Sequence, residues 1–276
     1  MSAVVVFIIF AICLVIAIPI SISLGIVAVL PGAFDASFTA SAGYVIRSMV
    51  GGIDSFPLLA VPMFVLAGIL MAHGKISEKL FDVFVYFLGN KRAGIPCAVI
   101  ITCLFYGAIS GSAPATVAAV GSMTIPLLIE LGYEKDFSTA IVAVAGGLGV
   151  IIPPSIPFIM YAMATGESVS DLFLAGIVPG MMISALLIFY AYYYCRRHGE
   201  DREKIQAKMG QLKAKGFFNI LKESIWALLS PVIVLGCIYT GVASPTEAAV
   251  ISVFYSLFVS LFIYRSIKVK QIWGIM

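Results

Sequence analysis

The chain has 276 residues, 61% of them hydrophobic and 11% charged, with a mean hydropathy of +1.09 and a formal net charge of +3. A soluble domain carries about 25% charged residues, and several apolar runs here exceed the ~18–20 residues that cross a bilayer as a helix. Residues 1–30 and 93–129 contain no charged side chain, which excludes a soluble domain, and runs this continuous exclude the short alternating strands of a β-barrel. The expected class is an all-α integral membrane protein, a multi-pass helical bundle.

The N-terminus reads Met-Ser-Ala-Val-Val-Val, with no Lys or Arg ahead of the apolar run. A cleaved secretory signal needs a basic start and a shorter apolar core, so residues 3–30 are expected to be a retained membrane helix bent near Pro19. A mildly polar stretch, 31–55, follows, and 31–50 has room for another membrane-dipping segment. The next helix is expected over 56–72, with Asp54 or Ser55 as N-cap and Pro57 in its first turn. Over 74–92, Lys75, Glu78, Lys79 and Asp82 alternate with Ile76, Leu80, Phe81, Phe84 and Phe87. That pattern predicts an amphipathic helix in the membrane interface.

The charge-free stretch 93–129 is interrupted at Ser110-Gly-Ser-Ala-Pro114, and a polar turn, Glu130 to Asp136, separates it from an apolar segment at 138–163. A helix over 171–195 follows Ser168 as its cap. A hydrophilic arm spans 196–222, and two last helices are expected at 224–242 and 246–264. Ser244-Pro-Thr-Glu247 is a capping box with Pro245 at N1, so Glu247 reads as a cap and not as a proton carrier. The cysteines (Cys13, Cys97, Cys103, Cys195, Cys237) lie in or at the ends of apolar spans with no Cys-x-x-Cys pair. Their odd count points to packing residues rather than a disulfide framework or metal site. His73 and His198 fall outside the spans.

Lys and Arg set the orientation. If 196–222 is cytoplasmic, alternation places 73–92, 130–137 and 265–276 on the same side, and these segments hold every one of the 17 Lys and Arg except Arg47. The arrangement requires 93–129 to enter and return to one side, and it puts the N-terminus inside. Arg196, Arg197, Lys204, Lys208, Lys213 and Lys215 could contact anionic lipid head groups. The plainer reading is a topogenic, solvated loop.

Two places break the rule that membrane backbone is continuous helix: Gly107 to Thr116, and Gly146 to Pro157 with Gly147, Gly149, Pro153 and Pro154 between. Unwound backbone survives in hydrocarbon only where protein buries it or water lines it. Freed carbonyls beside Ser and Thr hydroxyls suit a small hard cation such as Na⁺, and half-helix N-termini suit a carboxylate. Against this, Gly107-x-x-x-Gly111 is also a helix-packing motif, and proline kinks occur in ordinary membrane helices. Each segment alone leaves the two readings balanced; two of them together favour the ion site.

At these residues the sequence resembles the large membrane subunit of the tripartite ATP-independent periplasmic (TRAP) transporters. The resemblance rests on Ser55 to Pro62, Ile109 to Gly121, Ile151-Ile-Pro-Pro-Ser-Ile-Pro157, Leu174 to Gly180 and Pro245-Thr-Glu-Ala-Ala249, in the family's order. It implies an elevator-type secondary transporter driven by Na⁺ in the bacterial inner membrane. The implied cargo is a small organic acid delivered by a periplasmic substrate-binding protein, and a small four-helix membrane subunit is the implied partner. It implies that 93–129 is a re-entrant helical hairpin faced by the broken helix 138–163. On that basis Ser110, Gly111 and Ser112 at the tip, with Gly149, Ile152, Pro154 and Ser155 opposite, are candidates for a Na⁺ site. Ala113 and Thr116 are candidates to meet substrate. Some members carry Asp where this chain has Thr116, and the Pro-Ala-Thr form looks like the dicarboxylate branch.

The implied organisation is scaffold helices over 1–92, a transport-core repeat over 93–195, the basic arm over 196–222, and scaffold helices of an incomplete second repeat over 223–276. The family's large subunit continues with a second hairpin and a second broken helix. A fragment or a non-transporting assembly subunit is therefore the alternative expectation, with an ion channel behind it. An enzyme is not expected: an intramembrane serine nucleophile needs a base, and 93–129 contains no His, Lys, Asp or Glu. No nucleic-acid partner is expected either.

Overall fold

The computed structural model describes residues 3–34, 42–214 and 216–268, which form helices and connecting turns. They fall into two compact units that divide after Ser55. Lys215 and residues 269–276, assigned above to the arm and the last basic segment, lie outside the described residues, as do 35–41 of the stretch left open.

In the first unit the expected single bent helix is two, α1 (Ala3–Val15) and α2 (Ile20–Phe34), broken at Ile16–Pro19. Pro19 disfavours helical geometry in the residue before it, and Ala17 takes a left-handed φ of 62°. A third helix, α3 (Ala42–Ile53), occupies part of the stretch left open.

The second unit begins with a 3₁₀ turn, Phe56–Leu59, leading into α4 (Ala60–His73). Pro57 sits in that turn, and the residue capping α4 is Leu59, without a side-chain bond. The expected cap at Asp54 or Ser55 is thus displaced by the extra turn. Next come α5 (Ile76–Leu88), α6 (Gly94–Ser110) and α7 (Ala113–Glu130). They are followed by α8 (Lys135–Gly146), a 3₁₀ turn at Gly147–Val150, and α9 (Ile156–Thr165). α10 (Val169–His198) is capped by Ser168 as expected, its Oγ accepting from the Asp171 amide. α11 (Arg202–Ala214), α12 (Phe217–Tyr239) and α13 (Pro245–Phe258) complete the unit, α13 running on through a π turn, Val259–Ile263. The Ser244/Glu247 capping box is present, with both reciprocal bonds made.

Among the described residues, five helices are long and apolar enough to span a bilayer: Phe56–His73, Ala113–Glu130, Val169–His198, Phe217–Tyr239 and Pro245–Ile263. The chain is therefore a multi-pass helical membrane protein. α8 and α9, with 12 and 10 residues, are about 18 and 15 Å long at 1.5 Å per residue. Each reaches about half way through a ~30 Å hydrocarbon core.

Two sequence expectations change. The 74–92 helix does not spend its apolar face on lipid: α5 buries Ile76, Leu80, Phe81, Val83 and Val85 and packs on α6, α11 and α12. The arm is not a solvated loop either. Its residues 202–214 form α11, whose Ile205 and Met209 are buried in the same core as α5 and α6. The arm also ends earlier than expected, because Phe217 packs on Tyr86 and Phe87 of α5 and starts α12 there. Lys79 of α5 pairs with Glu223 on the second turn of α12.

The basic segments meet at one end of this unit. The Glu200 carboxylate accepts from the Ala93 amide before α6 and from the Tyr133 hydroxyl after α7, and the Tyr264 hydroxyl donates to the Glu223 carbonyl. Both ends of the α6–α7 hairpin are thus held by one arm residue, so the hairpin returns to the side from which it starts.

Candidate binding site where the hairpin tip meets the broken helix

The tip is a two-residue link. Gly111 ends α6 in the left-handed region, φ 62°, with its amide on the Gly107 carbonyl at 3.0 Å. A β-carbon there would suffer both the unfavourable φ and an approach of 2.9 Å to the Pro154 carbonyl oxygen. Ser112 then turns extended and caps α7, its Oγ accepting from the Ala115 amide at 3.5 Å.

Three oxygens converge inside the tip. Ser110 Oγ lies 3.1 Å from Thr116 Oγ1, which donates to the Ser112 carbonyl at 2.8 Å. Ser110 Oγ is 3.4 Å from the same carbonyl. Ser110 and Thr116 are fully buried. A hydroxyl offers two lone pairs and one proton, so the cluster holds more acceptor capacity than its own protons use.

The break lies directly across. Gly149 faces the cluster: a β-carbon on it would sit 2.5 Å from Thr116 Oγ1 and 3.0 Å from the Ser112 carbonyl oxygen. Gly107 faces Gly149 in turn, and a β-carbon on Gly107 would come within 2.5 Å of the Gly149 Cα. The hairpin and the break approach at backbone distance only because both positions lack a side chain. The Ile156 amide, an N-terminal donor of α9 with no partner inside its own helix, donates to the Gly111 carbonyl at 3.2 Å. Ser155 is fully buried and acts within the break: it donates to the Val150 carbonyl at 2.6 Å and caps α9 at the Phe158 amide. The Pro153–Pro154 peptide is cis.

The seven residues proposed from sequence for an ion site are thus placed unevenly. Ser110, Gly111, Ser112 and Gly149 share one cluster, with Pro154 at its edge against Gly111. Ser155 turns its hydroxyl to its own segment. Ile152 points away, packing against Gly180 of α10. Of the two substrate candidates, Thr116 belongs to the buried oxygen cluster, and Ala113, half-buried in the first turn of α7, offers only a methyl group.

Sequence reasoning missed the third wall. The Tyr106 hydroxyl, fully buried, donates to the Gly68 carbonyl at 2.7 Å. A β-carbon on Gly68 would lie 2.9 Å from the Ser110 Cβ. α4 therefore backs the cluster through a glycine, as the 3₁₀ turn after α8 does through Gly149. A buried tyrosine in a charge-free run was the available signal, since such a hydroxyl needs a partner.

Electrostatically the crossing joins four helix ends. α6 ends at Ser110 and the 3₁₀ turn at Val150, presenting carbonyls; α7 starts at Ala113 and α9 at Ile156, presenting amides. Carbonyl ends favour a cation and amide ends an anion. Among the described residues no group of three His, Cys, Asp or Glu is placed to hold a metal, so the donors on offer here are neutral hydroxyl and carbonyl oxygens. Such oxygens suit hard cations.

The comparisons with known proteins agree with this architecture. The family model described as "Tripartite ATP-independent periplasmic transporter, DctM component" matches residues 7–276. The isethionate TRAP transporter permease protein of Oleidesulfovibrio alaskensis is 43% identical over 94% of this chain and 40% of its own length. The C4-dicarboxylate TRAP transporter large permease protein of Rhodobacter capsulatus is 33% identical over 99% of the chain and 63% of its own. The ectoine TRAP transporter large permease protein of Halomonas elongata is 36% identical over 83% and 52%. The chain spans about half the length of the curated relatives it matches. With the family matched almost end to end and the hairpin facing a broken helix, the chain belongs to the DctM family of TRAP transporter large permeases.

Proposed function

We propose that the chain is the membrane subunit, or the part of it that holds one hairpin and one broken helix, of a Na⁺-coupled importer in the bacterial inner membrane. The cargo is a small organic acid of the C4-dicarboxylate kind, handed over by a periplasmic substrate-binding protein, and a small four-helix membrane subunit completes the assembly. The observation that carries this reading is the contact of Gly149 with the Ser112 carbonyl and Thr116 hydroxyl. It sets two interrupted helices against each other at backbone distance, the arrangement that secondary transporters use near the membrane midplane.

In this reading Ser110, Ser112 and Thr116 hold the ion with their oxygens, and Gly149 and Gly107 keep the opposing backbone close. Bound Na⁺ supplies positive charge beside the amide ends of α7 and α9, where a substrate carboxylate is then favoured. The body that holds the hairpin and the broken helix moves relative to the rest of the assembly, in the manner of an elevator. The relatives named above carry isethionate, C4-dicarboxylate and ectoine in their names. The choice among them rests on Thr116, which matches the dicarboxylate branch.

The test is uptake into liposomes containing the chain, its small membrane subunit and the cognate binding protein. Labelled succinate, isethionate and ectoine are compared with and without an inward Na⁺ gradient. Gradient-driven uptake of succinate that is lost in S110A and T116A supports the reading. Uptake indifferent to Na⁺ removes the ion site, and uptake of only isethionate or ectoine replaces the substrate.

A further inference from the structure

Far from the oxygen cluster, Glu200 is a buried carboxylate that the transport reading does not use. Its side chain is 2% exposed, although it lies between the end of α10 and the start of the hydrophilic α11. Both of its oxygens lie within bonding reach of the Ala93 amide, at 3.0 and 3.2 Å, and one also accepts from the Tyr133 hydroxyl at 2.6 Å. The Arg202 guanidinium approaches to 3.9 Å from the solvent side. Burying a carboxylate is costly unless its acceptors are filled, and here they are filled by the two ends of one hairpin.

The residues around it fit no other role so well. Ala93 caps α6 in a left-handed conformation, φ 56°, with no side-chain cap of its own. Its amide would be orphaned without Glu200. Gly132, φ 92°, lets the 131–133 turn close onto Asp201, where a β-carbon would come within 3.2 Å. Asp201 in turn caps α11 at the Lys204 amide. Ile205 and Met209 then bury into the core shared with α5, Met209 lying against Gly89.

We propose that Glu200 is a positioning residue: a latch that pins both ends of the α6–α7 hairpin to the head of α11, so that hairpin and arm move as one rigid piece. The tip lies one helix away, about 26 Å along the 17 residues of α6, so a small rotation at this latch displaces the oxygen cluster from Gly149. The arm is then a strap that sets the height of the tip, and not only a topogenic charge cluster. Its effect on transport rests on the proposed function above; the latch itself does not.

Native thiols report on the latch. Cys195, in the last turn of α10, is buried and faces the same carboxylate, with Cys97 of α6 close by. Cys103, deeper in α6, is fully buried and remote from it in sequence. The full chain in proteoliposomes is treated with N-ethylmaleimide, and each cysteine is followed by mass spectrometry in wild type, E200A, E200Q and Y133F. Expected for E200A is an increase of about tenfold or more in the alkylation rates of Cys195 and Cys97, with Cys103 unchanged. E200Q keeps one acceptor oxygen but, like E200A, removes the negative charge beside the two thiols, so it measures the effect of charge alone on their alkylation. Y133F keeps that charge and shows the rise at Cys195 and Cys97 that opening of the latch produces, at lower amplitude than E200A.

Unchanged rates at Cys195 and Cys97 in both E200A and Y133F overturn the latch. So does a rise at all three cysteines together in Y133F, which would make Glu200 an ordinary stabilising residue. Should E200A fail to insert, Y133F alone decides between these outcomes. Uptake measured on the same liposomes is a separate readout: a lower maximal rate with unchanged half-saturating Na⁺ links the latch to transport. Absent uptake in wild type overturns the transport reading and leaves the alkylation result standing.

Discussion

Gly149 of the broken helix lies so close to Thr116 of the hairpin that a β-carbon on the glycine would sit 2.5 Å from the threonine hydroxyl. Real carbon–oxygen contacts do not close to that distance, so any larger residue at 149 must push the hairpin off the break. A rotation of the threonine does not absorb the clash, because the same β-carbon would also lie 3.0 Å from the Ser112 carbonyl oxygen, which is backbone. G149A is expected to lower stability by about 1–3 kcal/mol, as overpacking does in close-packed cores. In the proposed transporter it would also lower uptake by at least about tenfold, since a separation of 1 Å costs far more than that at a preorganised site. Thermal unfolding in detergent, with uptake on the same preparation, checks both. Wild-type uptake by G149A would show that the crossing is not the site.

The contacts of Thr116 at the crossing are made by its hydroxyl oxygen. The hydroxyl donates to the Ser112 carbonyl and meets Ser110, whereas Gly149 touches the hydroxyl oxygen. T116S keeps every oxygen and should leave the half-saturating Na⁺ concentration within about threefold. T116A removes one oxygen and should raise that concentration about tenfold or more, the usual cost of a lost bond to a charged group. A titration of uptake against Na⁺ at saturating substrate separates the two. Equal behaviour of T116A and T116S would remove Thr116 from the ion site.

How much of this was legible in the sequence depends on what carried the signal. The breaks were readable because Gly111, Pro153 and Pro154 act locally, through φ and missing amides, whereas the close approach that Gly149 permits to Ser112 and Thr116 is tertiary. The caps at Ser168 and Ser244 were readable for the same reason, and both are present. The wall built by Tyr106 and Gly68 was only half readable: a tyrosine in a charge-free run says that its hydroxyl needs a partner, but the partner is a backbone carbonyl 38 positions away. Charge patterning misled at α5 and α11. α5 is an amphipathic helix whose apolar stripe is buried against protein, and periodicity alone does not tell a protein neighbour from a lipid one. α11 is hydrophilic almost throughout and docks through Ile205 and Met209. Glu200 left no trace at all, being one acid in a charged arm whose burial only the fold creates.

The docking of the arm carries its own expectation. Met209 is 2% exposed and packs on Gly89 at the end of α5. M209A should cost about 2–5 kcal/mol of local stability, the range for deleting a buried methionine side chain. Opening of α11 then exposes the bonds after Lys204, Lys208 and Lys213 to trypsin. Limited proteolysis of the detergent-solubilised chain should cut the arm of M209A at least about tenfold faster than wild type, because cleavage tracks the open population. Equal rates would return the arm to the solvated loop that its composition suggests.

Tyr133 gives the latch a pH signature. Burial, followed by the hydrogen bond and charge of Glu200, pushes its phenol far above the ordinary tyrosine value of 10.0. A raised folded-state pKa means that the folded chain binds the proton more tightly than the unfolded chain. Its contribution to stability is therefore complete below about pH 10 and is lost as pH climbs from there toward the folded value. Y133F has no proton to lose, so it lacks this part of the alkaline decline. The difference in unfolding temperature between wild type and Y133F should be constant from about pH 7 to 9 and shrink above about pH 10. The other tyrosines titrate in both proteins and cancel in the difference. A gap that stays constant to about pH 11 would mean that Tyr133 is not held by Glu200 in the way the geometry shows.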